Sequence, residues 1–371
     1  MNVRDARPDE LADWDAGAVE AAGGHVYQSR AWADHRRASG WLPRFLVTED
    51  GGRVMALVRP WAIIGGSSAY VPRGPVAGGA TTLPTAIAAR QIAVSEALAR
   101  DGVDVVAADP EVPAADSRYR EAIRGAGFHP IEELQPSRHR ISLPLPAGAD
   151  EDRIFEGIAK STRQRIRGAE RDRVTVIRHD ERLETGTSGE GFSAPTEPAS
   201  EALDRFYDLL LETGERLQFS FGPRSSFVAW WLAALAAGHL IYLEARAGDA
   251  RTGEPLAGLV IYRHGGRLST VHSGDHAASR TEHPGALHLL RWRAIQLAVR
   301  ESCSEMDLGG VDVAGAHDEP RDGDPLYGLY QHKRAFGGRW LELAGAHERV
   351  FDRRGYTLGR VAGRVASLLR R

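Results

Sequence analysis

Along the chain, alternating hydrophobic and polar positions give way to helical spacing in an order that occurs twice. Between Pro43 and Ile64 the run PRFLVTEDGGRVMALVRPWAII sets two β-rich segments either side of Asp50-Gly51-Gly52. Glycine there supplies the positive φ of a tight turn, which predicts a β-hairpin. SSAYVPRGPVAGG follows as another strand entering a Gly/Pro loop. LPTAIAARQIAVSEALARDG predicts a helix, with Pro84 in its first turn and Gly102 just past its end. VDVVAADPEV reads as a buried strand halted by Pro110, REAIRGAGFHP as a short helix, and ISLPLP as the segment it leads to.

Pro, Gly and acidic residues cluster in PLPAGADEDR, residues 144–153, where a domain boundary is expected. IFEGIAKSTRQRIRGAERDRV then predicts one strongly basic helix, and ETGTSGEGFSAPTEPASE, residues 184–201, a mobile surface loop. Two helices follow (LDRFYDLLLETGERL, SSFVAWWLAALAAG), then strands (HLIYLEARAG, EPLAGLVIYRHGGRLSTVHSG), a helix (ALHLLRWRAIQLAVRES) and a strand (EMDLGG). Each half thus has a hairpin, a long helix, and a strand ending in an acidic turn. The expected class is α/β (α+β): two related domains, each a mixed sheet flanked by helices.

The length suits two compact domains. A formal net charge of −3 excludes a generic basic nucleic-acid binder, so any polyanion must be held by a local patch. The single cysteine, Cys303, excludes an intramolecular disulfide, fits a reducing compartment and reads as a small buried hydrophobe. The N-terminus lacks a signal-peptide pattern, and no window approaches the roughly 20 apolar residues of a membrane span. The closing GRVAGRVASLLRR predicts a helix, either a plain surface helix or one touching anionic lipid headgroups. Of 47 Lys and Arg residues only Lys160 and Lys333 are lysine, and Lys333 stands in LYGLYQHKRAFGG between an aromatic-rich turn and Gly337-Gly338.

The element order is that of an acyl-CoA N-acetyltransferase fold, in which a Gly-rich turn at a helix N-terminus cradles pyrophosphate. Here that place reads Glu282-His283-Pro284-Gly285-Ala286-Leu287: an acid repels phosphate, Pro lacks a donor and Leu crowds the approach, so CoA is not expected there. His272 and His276 have the spacing of a helical metal pair, but SGDHAAS reads as loop and no metal is expected. No G-x-S-x-G is present. Asp109 follows a strand at a sheet edge, as a ligand carboxylate or as a turn-forming Asp-Pro; Asp307-Leu-Gly-Gly-Val-Asp312 ends the matching strand, its glycines permitting close backbone approach. The Arg-rich helix from Lys160 to Arg173 is a solvated face or a local anion site. Tyr327, Tyr330, His332 and Phe336 around Lys333 are core, or aromatic faces stacking a base beside an ammonium.

Taken in order, YQSRAWADHRRASGW, YVPRGPV, ADPEV, KSTRQRIRGAERDRV, LLLETGERLQFSFGPRSSF, HLLRWRAIQLA, MDLGGVD and GLYQHKRAFGG resemble the FemABX family of peptidoglycan bridge-forming aminoacyltransferases over almost the whole chain. The resemblance implies two tandem acetyltransferase-like (GNAT-like) domains without a long coiled-coil insertion: residues 1–148, rejoined by the tail 346–371, and 149–345. It implies transfer of an amino acid from aminoacyl-tRNA to an amino group in the stem peptide of a peptidoglycan precursor (lipid II or UDP-MurNAc-pentapeptide). It implies no cofactor, a cytoplasmic monomer, and contact with the inner membrane face as an added possibility. Asp109 and Lys333 would be catalytic. Arg36 (between Trp32 and Trp41), Tyr70, Arg73, Arg224 and His272 would bind precursor, and Lys160, Arg163, Arg167, His332, Lys333 and Phe336 would bind tRNA. Lys333 matches the family, whereas His332 stands where it has Phe, Arg36 where it has Lys, and Val271-His272 where it has Tyr. An acyl-CoA-dependent N-acyltransferase and a non-catalytic precursor-binding protein are the competing readings.

Overall fold

The structure, a computed structural model, describes residues 1–62, 65–77, 83–135, 137–183, 189–217, 220–311 and 318–368, with backbone alone at 217 and 363–368. Asp312, Gly78, Gly79 and residues 184–188 of the expected loop lie outside the described residues. In chain order the strands are β1 (Val3–Asp5), β2 (Leu42–Thr48), β3 (Arg53–Pro60), β4 (Ser67–Val71), β5 (Val103–Ala108), β6 (His129–Pro130), β7 (His139–Pro144), β8 (Val174–His179), β9 (Leu240–Ala247), β10 (Pro255–His264), β11 (Arg267–Asp275), β12 (Glu305–Asp307), β13 (Arg339–Glu342) and β14 (His347–Val350). The α-helices are α1 (Pro8–Ala12), α2 (Arg30–Arg37), α3 (Pro84–Arg100), α4 (Ser117–Gly125), α5 (Glu151–Gly157), α6 (Lys160–Arg171), α7 (Ala199–Leu217), α8 (Arg224–Ala236), α9 (Ser279–Glu282), α10 (Ala286–Arg300), α11 (Tyr327–Arg334) and α12 (Arg353–Leu368).

The chain divides into two compact units, Met1–His139 with Leu341–Arg371, and Arg140–Trp340. The first holds a sheet ordered β1-β2-β3-β4-β5-β14-β6. Its first four strands form an antiparallel series, and β5 then runs parallel to β4. Parallel neighbours need a crossover, which α3 provides. The second sheet is ordered β13-β7-β12-β11-β10-β9-β8. It repeats the same device: β9, β10 and β11 are antiparallel, α10 crosses over, and β12 returns parallel to β11. Leu46, Val54, Val71, Leu98 and Val106 pack one core, and Leu243, Leu259, Ile261, Leu290 and Met306 the other.

Several elements differ from expectation. The basic segment is two helices, because Ile158 and Ala159 take extended backbone (ψ 141° and 138°) between α5 and α6. ISLPLP contributes β7, which pairs with β12 in the second sheet, so the units divide at 139/140 although composition changes at 144–153. The HSGD segment is the end of β11, carried by pairing to β10. The stretch around Lys333 is helix α11, entered from Leu326 at φ 62°. Within the expected loop, Ser193 is tied to β8, its N–H donating to Val176 O and its carbonyl accepting from Arg178 N.

Candidate functional site

In the first unit β4 and β5 run side by side, so the residues following them meet. Asp109, just past β5, is 1% exposed. The Tyr70 hydroxyl donates to its Oδ2 at 2.9 Å and the Arg73 N–H to its Oδ1 at 2.7 Å. The Arg73 guanidinium lies 3.7 Å from Oδ2 and donates to the Ser137 carbonyl at 2.8 Å. Three residues singled out in the sequence thus form one cluster. Burial pushes the Asp109 carboxyl up to about 6, with the Arg73 charge and the bonds from Arg73 N and Tyr70 pulling the other way. Arg73 sits at φ 47°, a left-handed backbone that the bond to Asp109 helps hold.

Arg36, on α2, lies over Trp32 at 5.4 Å and Trp41 at 5.5 Å. Arg59, at the end of β3, lies over Trp41 at 5.4 Å. Burial first, and then the Arg59 charge, lower the Arg36 guanidinium from its ordinary value. Neither makes an ion pair among the described residues, and Arg36 Nε is buried without a partner. The sequence offered a signal for Arg59 that was missed: hairpin register returns β3 to the start of β2, beside Trp41.

In the second unit α11 carries His332, Lys333 and, just beyond its end, Phe336. Lys333 is 7% exposed and its Nζ donates to the Gly310 carbonyl at 2.6 Å. The close approach needs glycine: Gly309 has φ 78°, and a Cβ there would lie 3.0 Å from Lys333 Nζ and 2.6 Å from the Thr270 carbonyl. His332 packs edge-on against His288 (4.5 Å) and Phe336 (5.6 Å). Burial, reinforced by Arg291, pushes the His332 imidazole down to about 2. It is therefore neutral, and its Nε2 accepts from Arg291 Nε at 3.0 Å.

The remaining candidates are dispersed over the second unit. Lys160, Arg163, Arg165 and Arg171 of α6 have no carboxylate partner among the described residues, while Arg167 lies 5.2 Å over Phe155. Arg224 is held by Asp204 at 3.1 Å and by Asp208, over the Tyr207 ring. His272 is enclosed by Phe221, Phe227 and Trp231, and burial lowers its imidazole to about 4. His276 instead pairs with Glu212 at 2.9 Å. Cys303 is half-buried, its thiol pushed up to about 11 by burial.

The α10 N-terminus, where an acetyltransferase fold would seat pyrophosphate, is packed against α6. A Cβ on Gly285 would fall 2.1 Å from the Arg165 carbonyl oxygen and 3.0 Å from Ala169 Cβ. Beside this contact lies a cavity of about 280 Å³ lined by Ser161, Gln164, Arg165, Asp172 and Pro284 among others.

Residues 160–334 match the family described as an acetyltransferase (GNAT) domain. No match was found among curated proteins. Among solved structures the chain is similar to L-PGS from Bacillus licheniformis, at 11% identity over 98% of each chain with a TM-score of 0.49. It is also similar to FemX, at 16% identity over 96% of this chain and 99% of that one, with a TM-score of 0.75. The fold is that of FemX, two acetyltransferase-like units in tandem, and the likeness to FemABX proteins first read in the sequence holds in three dimensions.

Proposed function

We propose that the chain is an aminoacyltransferase that moves an amino acid from aminoacyl-tRNA to a stem-peptide amino group of a peptidoglycan precursor, lipid II or UDP-MurNAc-pentapeptide. The observation that carries this is where positive charge is left unneutralised. In a protein of net charge −3, Arg36 and Arg59 on one unit and Lys160, Arg163, Arg165 and Arg171 on the other have no carboxylate partner among the described residues. Cations spared from internal pairing are available to phosphates. Arg36 and Arg59 with their tryptophans suit the diphosphate of a precursor, and α6 suits an RNA backbone.

The donor is an ester, so no metal or cofactor is invoked. The amine nitrogen bonds to the ester carbonyl carbon and the carbonyl electron pair moves onto oxygen. That pair returns as the bond to the ribose oxygen breaks, and the proton lost by the amine ends on that ribose oxygen. Lys333 supplies positive charge as the oxyanion forms, a type of contribution worth about 10²–10³-fold per donor. Asp109 already accepts from Tyr70 and Arg73, so in this reading it holds those two groups in place. Arg224 would have to exchange Asp204 and Asp208 for substrate. We place the reaction in the cytoplasm. With a lipid-linked acceptor, α12, which exposes Leu358 and Val361 beside Arg353 and Arg360, would meet the inner membrane surface. No helix among the described residues is long and apolar enough to cross a membrane.

The competing acyl-CoA reading is disfavoured by the Arg165 carbonyl packed against Gly285, where the pyrophosphate would need open backbone N–H groups. The test is transfer of radiolabelled amino acid from a mixed pool of charged tRNAs to lipid-linked and nucleotide-linked precursors. Label is expected on one of them, falling about a hundredfold or more in Lys333→Ala. No label on either, with every tRNA charged, sinks the transferase reading; protection by CoA against thermal unfolding would then favour the acyl-CoA alternative, and precursor binding alone the non-catalytic one.

A further inference from the structure

Five buried arginines of this protein are matched with carboxylates. Arg73, Arg90, Arg178, Arg246 and Arg263 are each less than a tenth exposed, and each has an Asp or Glu within ion-pair distance. Arg291, in the middle of α10, is 1% exposed and makes no ion pair among the described residues. Its acceptors are uncharged: His332 Nε2 at 3.0 Å and Ser273 Oγ at 3.2 Å. Its Nη1 is buried with no hydrogen-bond partner among the described residues. The carboxylate that acts on it, Asp275, spends its own oxygens on Arg216 and Arg280. Other cations crowd the locus: Arg165 and Lys333 both act on His332, and Arg165 also acts on His288. A buried charge without a counter-charge is costly, and a fold that needed only packing here would be served better by an apolar residue.

We propose that Arg291 is an anion-binding residue of the second unit, whose unmet N–H and charge are completed by an anionic oxygen of a ligand. Resting on the transferase reading, that oxygen has two sources: a phosphodiester near the RNA 3′ end, present in the ground state, or the oxyanion that forms as the amine adds to the ester. His332 is then a positioning residue. Its neutral ring accepts from Arg291 Nε and fixes the guanidinium plane, a task for which His serves and Phe does not.

The experiment compares the full-length protein with Arg291→Met and Arg291→Lys. A counter-ion-free cation strains the free protein, so Arg291→Met is expected to raise the melting temperature of the second unit, Arg140–Trp340, by roughly 2–4 °C, the response to about 1 kcal/mol in a unit of that size. Inorganic phosphate is expected to raise the melting temperature of the parent, and that rise should be lost in Arg291→Met and weakened in Arg291→Lys, whose ammonium has shorter reach and no planar fork; no rise in the parent overturns the proposal. In the transfer assay both variants should lose at least tenfold. A loss in KM for charged tRNA assigns the oxygen to a phosphodiester, and a loss in kcat to the oxyanion. A lower melting temperature in Arg291→Met with an unchanged phosphate response in Arg291→Lys would make Arg291 a structural cation and overturn the proposal. Should the parent itself transfer nothing, the transferase reading falls, and the melting and phosphate arms still decide Arg291.

Discussion

The two units build opposite electrostatic centres on the same strand-helix-strand scaffold. In the first, a buried carboxylate at the end of β5 is surrounded by donors, Tyr70 and Arg73, and every oxygen is engaged. In the second, α10 buries a guanidinium that among the described residues meets only neutral acceptors, and the last residue of β12, Asp307, turns its carboxylate to the Gly309 N–H. The same strand-helix-strand topology thus buries groups of opposite sign, one just past the returning strand and one on the crossover helix. On the proposal above, the satisfied cluster acts as structure, and the unsatisfied one is stability given up for a ligand.

The largest expected effect breaks the satisfied centre. Asp109→Leu strands the Arg73 guanidinium in the interior and should cost about 3–5 kcal/mol in denaturant titration, whereas Arg291→Met is expected to stabilise. Two variants of equal sign would erase the contrast between the units. Next come the close backbone approaches: Gly285→Ala drives a Cβ into the Arg165 carbonyl and Gly309→Ala into the Thr270 carbonyl, the latter at positive φ. Each should cost about 1–3 kcal/mol, and Gly309→Ala should also displace Lys333 and lower transfer.

The response to pH should also divide the units. His288 is pushed down to about 4, by burial and then by Arg165, and His332 to about 2. Their contribution is whole above the ordinary value of 6.5 and is lost as pH falls through the folded values. Asp109, raised to about 6 by burial, contributes in the other sense: fully below its ordinary 3.8, and lost as pH rises through 6. Between pH 6.5 and 4, His288→Phe should therefore flatten the acid-side loss of stability and Asp109→Asn should steepen it, each by roughly 1–3 kcal/mol at about 1.4 per pKa unit. The reverse pattern would show the two groups in exchanged charge states. The smallest stability effect belongs to α6: Lys160→Ala, Arg163→Ala and Arg171→Ala together should stay within about 0.5 kcal/mol per site. The same triple variant should reduce the salt dependence of RNA binding by roughly 2 log units per log of salt, the value for three phosphate contacts to a single strand. An unchanged salt slope would return α6 to a plain solvated face.

The repeated hairpin, helix and strand were legible because β-branched alternation, Asp50-Gly51-Gly52 and the Pro84 and Gly102 boundaries are local signals. Tyr70, Arg73 and Asp109 were each singled out in the sequence, but their grouping emerges only from the pairing of β4 with β5. What escaped was decided by distant partners. β7 looked like the tail of the first domain until β12 paired with it, and α11 looked like a turn because its glycine and aromatics mask helical spacing. Arg291 gave no signal at all. It reads as one more arginine in a largely apolar helix, and its uncharged acceptors and the unmet Nη1 among the described residues distinguish it only once the fold is in hand.

The packing of α6 on Gly285 bears on how a scaffold of this kind could change its donor. Rewriting Glu282 to Leu287 as a phosphate-binding turn would alter the lettering of the α10 N-terminus and leave the Arg165 carbonyl in its path. If the proposed transfer holds, donor choice is set by a whole helix packed on this N-terminus, and use of a thioester donor would require removing or tilting residues 160–171. Point substitution alone would leave a correct turn behind a closed door.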